Sequence, residues 1–178
     1  GLTPTDYIFP NFLFIVGVSI VLSLNNRKDD FSKSKVMKKI IWRALKIYLV
    51  GLFLWVFPDF DLNNIRWTGV LQRISFVFLF CGFIYLFVQK KLFIYISFIT
   101  LILYWFIMLY IPIPGIGQPD LSIPELNLAH YIDNKYLPGV MWQGTWDPEG
   151  ILTTIPSIIT GVFGLIAGTI LIGKNDIK

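Results

Sequence analysis

The chain has 178 residues, of which 55% are hydrophobic, 17% aromatic and 15% charged, with a formal net charge of +4. A mean hydropathy of +0.67 exceeds what a soluble domain of this length uses, which excludes an ordinary water-soluble fold and makes lipid the expected solvent. The apolar runs also lack the alternation of a transmembrane barrel, so the expected class is all-α: a polytopic membrane helix bundle with about five transmembrane helices.

A hydrocarbon core of roughly 30 Å needs roughly 20 helical residues at 1.5 Å each. The first uncharged run predicts a span over 7–24. The second is free of charge only from Ile47 to Phe57 and reaches spanning length as 40–57, which puts Arg43 and Lys46 near a membrane boundary. The third, extended in the same way to 69–88, carries Arg73 about one turn inside. The fourth is expected over 92–111 and the fifth over 151–172, all within one transmembrane domain.

Basic residues orient the bundle, because segments on the cytoplasmic side of spans carry excess Lys and Arg. Arg27, Lys28, Lys33, Lys35, Lys38, Lys39, Arg43, Lys46, Lys90, Lys91, Lys174 and Lys178 all fall on one side, leaving Arg66, Arg73 and Lys135 for the other. The N-terminus is therefore expected outside and the C-terminus in the cytoplasm. Because the chain opens on Gly1, without Met or a basic leader, an earlier helix is expected to precede it.

The connection at 112–150 is the exceptional one, since helix–helix connections in bundles usually run 2–8 residues. It is expected to be a long extracytoplasmic segment with a short helix from Glu125 to Leu137, presenting Leu128, Tyr131, Ile132 and Tyr136 on one face and ended by Pro138 and Gly139. Trp142 and Trp146 suit the headgroup level.

Asp147, Pro148, Glu149 and Gly150 read as an N-cap, a first-turn proline and a first-turn carboxylate opening the last span. Either both carboxylates only cap that helix or one faces an outer cavity. Pro156 after Thr153 and Thr154 predicts a kink, and Gly164 with Gly168 predicts close helix packing. Cys81, alone in mid-span, reads as packing.

Arg73 is the sharpest polar residue, because a cation inside a span faces a partner or a wet cavity. Asp6, Asp59, Asp61, Asp147 and Glu149 are its candidate partners, and snorkelling is the alternative. Arg66, seven residues earlier, would share its face only if the third helix reached back that far. His130, the one histidine, reads as a surface group. No second His or Cys stands at ligand spacing, so no metal site is expected. Phosphate loops, dinucleotide turns and nucleophile elbows are missing as well.

Four strings carry a family resemblance: GLTPTDYIFPNFLFIVGVS (Gly1 to Ser19), RWTGVLQR (Arg66 to Arg73), YIDNKYLPG (Tyr131 to Gly139) and TWDPEGILTTIPS (Thr145 to Ser157). In order and over nearly the whole chain, they resemble the transmembrane heparan-alpha-glucosaminide N-acetyltransferase family, including bacterial glucosamine acetyltransferase-like members. The resemblance implies an integral protein of a bacterial inner (plasma) membrane that moves an acetyl group from cytosolic acetyl-CoA, with no metal, to an amino sugar outside. The family's reactive histidine would precede Gly1, and His130 does not match it. By carry-over, Asp6 would support the reacting centre, and Gln72, Arg73, Asp147 and Glu149 would line the outer pocket.

Arg43 and Lys46 would meet the phosphates of coenzyme A, with boundary snorkelling equally open. The implied partners are a glycan or amino-sugar acceptor, the lipid bilayer and further helices of the same protein. Nucleic acid is not among them, and self-association stays open. A sugar or proton-coupled transporter is the competing function, because a kinked helix beside an outer carboxylate cluster also describes a carrier. A noncatalytic scaffold is a third.

Overall fold

The computed structural model describes residues 3–25, 32–142 and 144–175. Its α-helices are α1 (Ile8–Asn25), α2 (Lys33–Val56), α3 (Val70–Phe87), α4 (Phe93–Tyr110), α5 (Leu128–Tyr136) and α6 (Thr154–Asn175). The described residues hold no β-strand, only isolated bridges at Arg66–Gly139 and Ile113–Gly117.

Among the described residues, four segments are long and apolar enough to cross a membrane: Ile8–Asn25, Val70–Phe87, Lys90–Tyr110 and Thr154–Gly173. The second expected span falls outside that set. At 24 residues α2 has the length, but Lys33, Lys35, Lys38, Lys39, Arg43 and Lys46 make its N-terminal half basic. It also starts earlier than expected, where Ser32 caps it through the Lys35 N–H.

Helices α1, α3 and α6 pack mutually, α4 lies against α6, and α2 lies against α3. The core is where they meet, around Leu13, Val21, Val77, Cys81, Val162 and Leu165. Glycine permits the α1–α6 approach. A Cβ at Gly17 would run into the Gly161 carbonyl oxygen, one at Gly164 into the Phe14 carbonyl oxygen, and one at Gly168 would come within 2.9 Å of Val21. This is the expected small-residue packing, extended to a partner glycine on α1. Cys81 is buried there, its thiol 3.6 Å from the Ile158 carbonyl oxygen, as packing requires. On the α2–α3 side, the Ser75 hydroxyl donates to the Ala44 carbonyl at 2.7 Å.

The last helix departs from expectation. It begins at Thr154, so residues 147–153 form a turn ahead of it and Asp147 caps that turn instead of the helix. Pro156 consequently lies in the first helical turn, a position that tolerates proline, and not in the interior of the span. The Thr153 and Thr154 hydroxyls donate to the Gly150 carbonyl, tightening the turn. In the long connection, a 3₁₀ turn over Pro124–Leu126 is separated from α5 by Asn127, whose side chain caps α5 through the His130 N–H. The buried face of α5 is Leu128, Ala129 and Asp133, while Tyr136 is exposed.

Candidate active site at one end of the bundle

Three segments converge where α3 and α6 begin. Ile65 and Arg66 run extended beside Gly139 and Val140, with the Val140 N–H donating to the Ile65 carbonyl at 3.1 Å. Gly139 has φ of 78°, and a Cβ there would overlap that same carbonyl oxygen, so only glycine lets the strands of chain approach. The third segment, 147–153, closes over both.

Arg66 holds the three together. Its Nε donates to Asp147 Oδ2 at 2.7 Å, and its Nη2 donates to Asp147 Oδ1 at 2.6 Å and to Glu149 Oε2 at 2.5 Å. The guanidinium also lies between two indoles, 5.8 Å from the Trp55 ring centroid and 5.2 Å from that of Trp142. Asp147 is 1% exposed and accepts further bonds from the Thr68 hydroxyl at 2.7 Å, the Glu149 N–H at 2.9 Å and the Trp142 N–H at 3.2 Å.

Burial alone would raise the Asp147 carboxyl, but hydrogen bonds from Arg66, Thr68 and the Glu149 amide hold it well below the usual carboxylate range. Burial likewise works against the Arg66 charge, and the paired carboxylates more than offset it, so its pKa is raised.

Arg66 lies outside α3, so it does not share a helical face with Arg73. The two still meet on the same turn. Arg73 is 8% exposed, and its Nη2 donates to the Pro148 carbonyl at 2.7 Å and the Thr153 hydroxyl at 2.5 Å. Both acceptors are neutral, because Arg66 takes the carboxylates. The Arg73 Nε has no partner among the described residues. Beneath the turn, Asp133 is 1% exposed and accepts the Ile151 N–H at 2.9 Å. Burial pushes its pKa up to about 6, against the pull of that amide.

Of these groups, Arg73, Glu149 and Thr68 line a cavity of about 480 Å³. Thr68, Gln72, Arg73, Glu149, Gly150 and Thr154 supply the polar part of its lining, and Tyr48, Trp67, Phe76, Phe80, Ile155 and Ile158 most of the apolar part. A second cavity of about 210 Å³ adjoins it, sharing Thr68 and Gln72 and reaching Trp55 and Arg66. Gln72 is wedged between them. A Cβ at either Gly51 or Gly69 would come within 2.9 Å of its side chain.

Of the residues expected at an outer pocket, Gln72, Arg73 and Glu149 line the larger cavity, and Asp147 lies directly behind it on Arg66. Asp6 is exposed and accepts from the Thr3 N–H and hydroxyl at 2.7 and 2.9 Å; no hydrogen bond among the described residues joins it to the cluster. Arg43 lies away from this cluster, lining a cavity of about 190 Å³ with Ser23, Lys39 and Phe78, its guanidinium 5.0 Å from the Phe78 ring centroid. Lys46 lies over the Trp42 ring at 5.6 Å, outside that lining. His130 is half-buried, not on the surface, and its Nδ1 has no partner among the described residues. No group of three or more potential metal ligands occurs among the described residues.

The fold and this site define an all-helical membrane protein whose buried ion-pair network borders a largely apolar cavity. The chain is homologous to heparan-alpha-glucosaminide N-acetyltransferase. It is 29% identical to the mouse (Mus musculus) protein over 99% of this chain and 34% of that protein, and 27% identical to the human (Homo sapiens) protein over 97% and 33%. It thus spans about a third of the length of the curated relatives it matches. No protein-family model matches the chain. Three of the four strings that carried the resemblance, those beginning at Arg66, Tyr131 and Thr145, are the segments that meet at the cluster.

Proposed function

We propose that this chain is part of a transmembrane acyltransferase that takes an acetyl group from cytosolic acetyl-CoA and delivers it to an amino sugar of the glucosamine type on the extracytoplasmic side. The observation that carries the reading is homology over nearly the whole chain, coupled to the meeting of three separated segments at one cavity. In this reading α2 also spans the membrane, with its basic half toward the cytoplasm and the Arg66–Asp147 cluster, α5 and Asp6 outside. The one-sided distribution of Lys and Arg supports that orientation.

The reaction joins the nitrogen of the neutral sugar amine to the acetyl carbon and breaks the carbon–sulfur bond, and the proton the amine loses ends on the leaving thiolate, releasing coenzyme A as the thiol. Negative charge develops on the acetyl oxygen, and donors fixed before the reaction stabilise it. Arg73, which lines the cavity and is anchored through Nη2, is the proposed donor, and Gln72 is the second. Glu149, held by Arg66, faces the amine and accepts its proton or positions it. Asp147 acts behind the wall, fixing Arg66 and through it Glu149. Asp6 is the proposed support for the family's reactive histidine, and Arg43 with Lys46 the inner contacts of the coenzyme A phosphates.

Membranes carrying the complete parent protein, supplied with labelled acetyl-CoA and glucosamine, test the reading. Transfer that falls on Arg73→Ala and Asp147→Ala supports it. Glucosamine crossing the membrane unmodified, without transfer, would replace it with transport.

A further inference from the structure

Asp133 belongs to none of the roles assigned so far, yet it lies one residue behind the cavity wall. Gly150 lines the cavity, and a Cβ at Gly150 would overlap the Asp133 carboxylate. That contact, with the Ile151 N–H bound at 2.9 Å, presses the carboxylate against the back of the turn that carries Glu149. A neutral amide would satisfy the same N–H, so hydrogen bonding alone gives no reason for a buried charge here.

The surrounding charges supply one. Asp133 feels Arg73 from α3, Asp147 and the Ile151 amide from the turn, and Tyr104 from α4. Arg73 and Arg66 carry two positive charges. Asp147 and Glu149 neutralise both when ionised, so an ionised Asp133 leaves the cluster with one surplus negative charge at the cavity wall.

We propose that Asp133 governs capture of the acceptor: ionised, it gives the cluster the surplus negative charge that draws a protonated amine toward Glu149, and protonated, it leaves the cluster neutral. This rests on the acetyl-transfer reading. Asp133 acts through the turn and is a positioning residue. Its raised pKa, about 6, places the change within reach of an ordinary pH titration.

The test is steady-state acetyl transfer by the complete parent protein, with KM for glucosamine and kcat resolved between about pH 5 and about pH 7, where an amine stays largely protonated. The wild type is expected to show KM rising as pH falls through the inflection, by at most about tenfold per pH unit, and levelling off at the value of Asp133→Asn, while kcat separately carries the titration of the reactive histidine. Asp133→Asn, which keeps an acceptor for the Ile151 amide, is expected to show a high KM that no longer varies with pH. Gly150→Ala, whose methyl displaces the carboxylate, is expected to shift the inflection.

An Asp133→Asn profile that matches wild type overturns the proposal and leaves acetyl transfer intact. A wild-type inflection carried by kcat alone also overturns it, even if neither variant inserts. Absence of transfer by the parent protein overturns the acetyl-transfer reading itself, and the proposal with it.

Discussion

Arg66 and Asp147, 81 residues apart, meet in a two-bond pair at 2.7 and 2.6 Å that is almost wholly removed from solvent. Glu149 hangs on the same guanidinium. The pair therefore ties the approach to α3 to the turn before α6; removing Arg66 leaves the buried Asp147 without its cation, and removing Asp147 leaves Arg66 with Glu149 alone.

Removal of one member is expected to destabilise the protein by about 3–5 kcal/mol. Arg66→Ala and Asp147→Ala should each lower the thermal midpoint of the detergent-purified parent protein. Arg66→Lys should recover little, because an ammonium cannot present two parallel N–H groups to one carboxylate while also reaching Glu149.

The α1–α6 contact has a different vulnerability. Gly17→Ala and Gly164→Ala each place a methyl against a backbone carbonyl that has no rotamer to escape into. Each is expected to cost about 1–3 kcal/mol, with larger side chains abolishing the fold. Gly173→Ala is the control, since a Cβ there meets nothing within 4 Å. Thermal midpoints of the three variants in one detergent would check the ranking.

Acid has opposite effects on the two buried carboxyls. Asp133, raised from 3.8 to about 6 in the fold, keeps its proton where the unfolded chain has lost it, so its contribution favours folding at low pH and is lost as pH rises from about 4 to about 6. Asp147 is lowered, so its contribution is present above 3.8 and is lost as pH falls below that value. Thermal midpoints measured across pH should show wild type losing stability relative to Asp133→Asn between about pH 4 and about pH 6. The reverse slope would contradict the burial of that carboxyl.

Much of the bundle was legible because lipid imposes a simple requirement, about 18 or more apolar residues in a row. The runs 7–24, 69–88, 92–111 and 151–172 correspond to α1, α3, the Lys90–Tyr110 segment and α6 within a few residues. The start of α6 was misread because Asp-Pro-Glu-Gly satisfies the local rules for a helix start equally well as a free-standing turn. Tertiary partners, Arg66 above all, decided between them.

Arg73 was legible as a cation inside a span and Glu149 as a carboxylate ahead of one, whereas Gln72 entered only through the family resemblance. Arg66, Thr68, Asp133 and Thr153 were not, since their partners lie 18 to 81 residues away. Asp133 in particular sits in a short helix whose polar residues read as solvent-facing. One signal for Arg66 was available: a second cation near a span, with Trp55 and Trp142 available to flank it.

The catalytic assignment of Arg73 predicts a loss of about 10²–10³-fold in kcat for acetyl transfer on Arg73→Ala, the scale of removing one oxyanion donor. Protein level and thermal midpoint should be compared alongside, to separate chemistry from folding. Unchanged turnover would remove Arg73 from the reaction.

The central claim is transfer across a membrane, and sealed vesicles containing the complete parent protein test it most directly. Labelled acetyl-CoA is supplied on the cytoplasmic face and glucosamine on the other. The account predicts labelled N-acetylglucosamine on the glucosamine side. Labelled product on the cytoplasmic side, or glucosamine crossing unmodified, would contradict it.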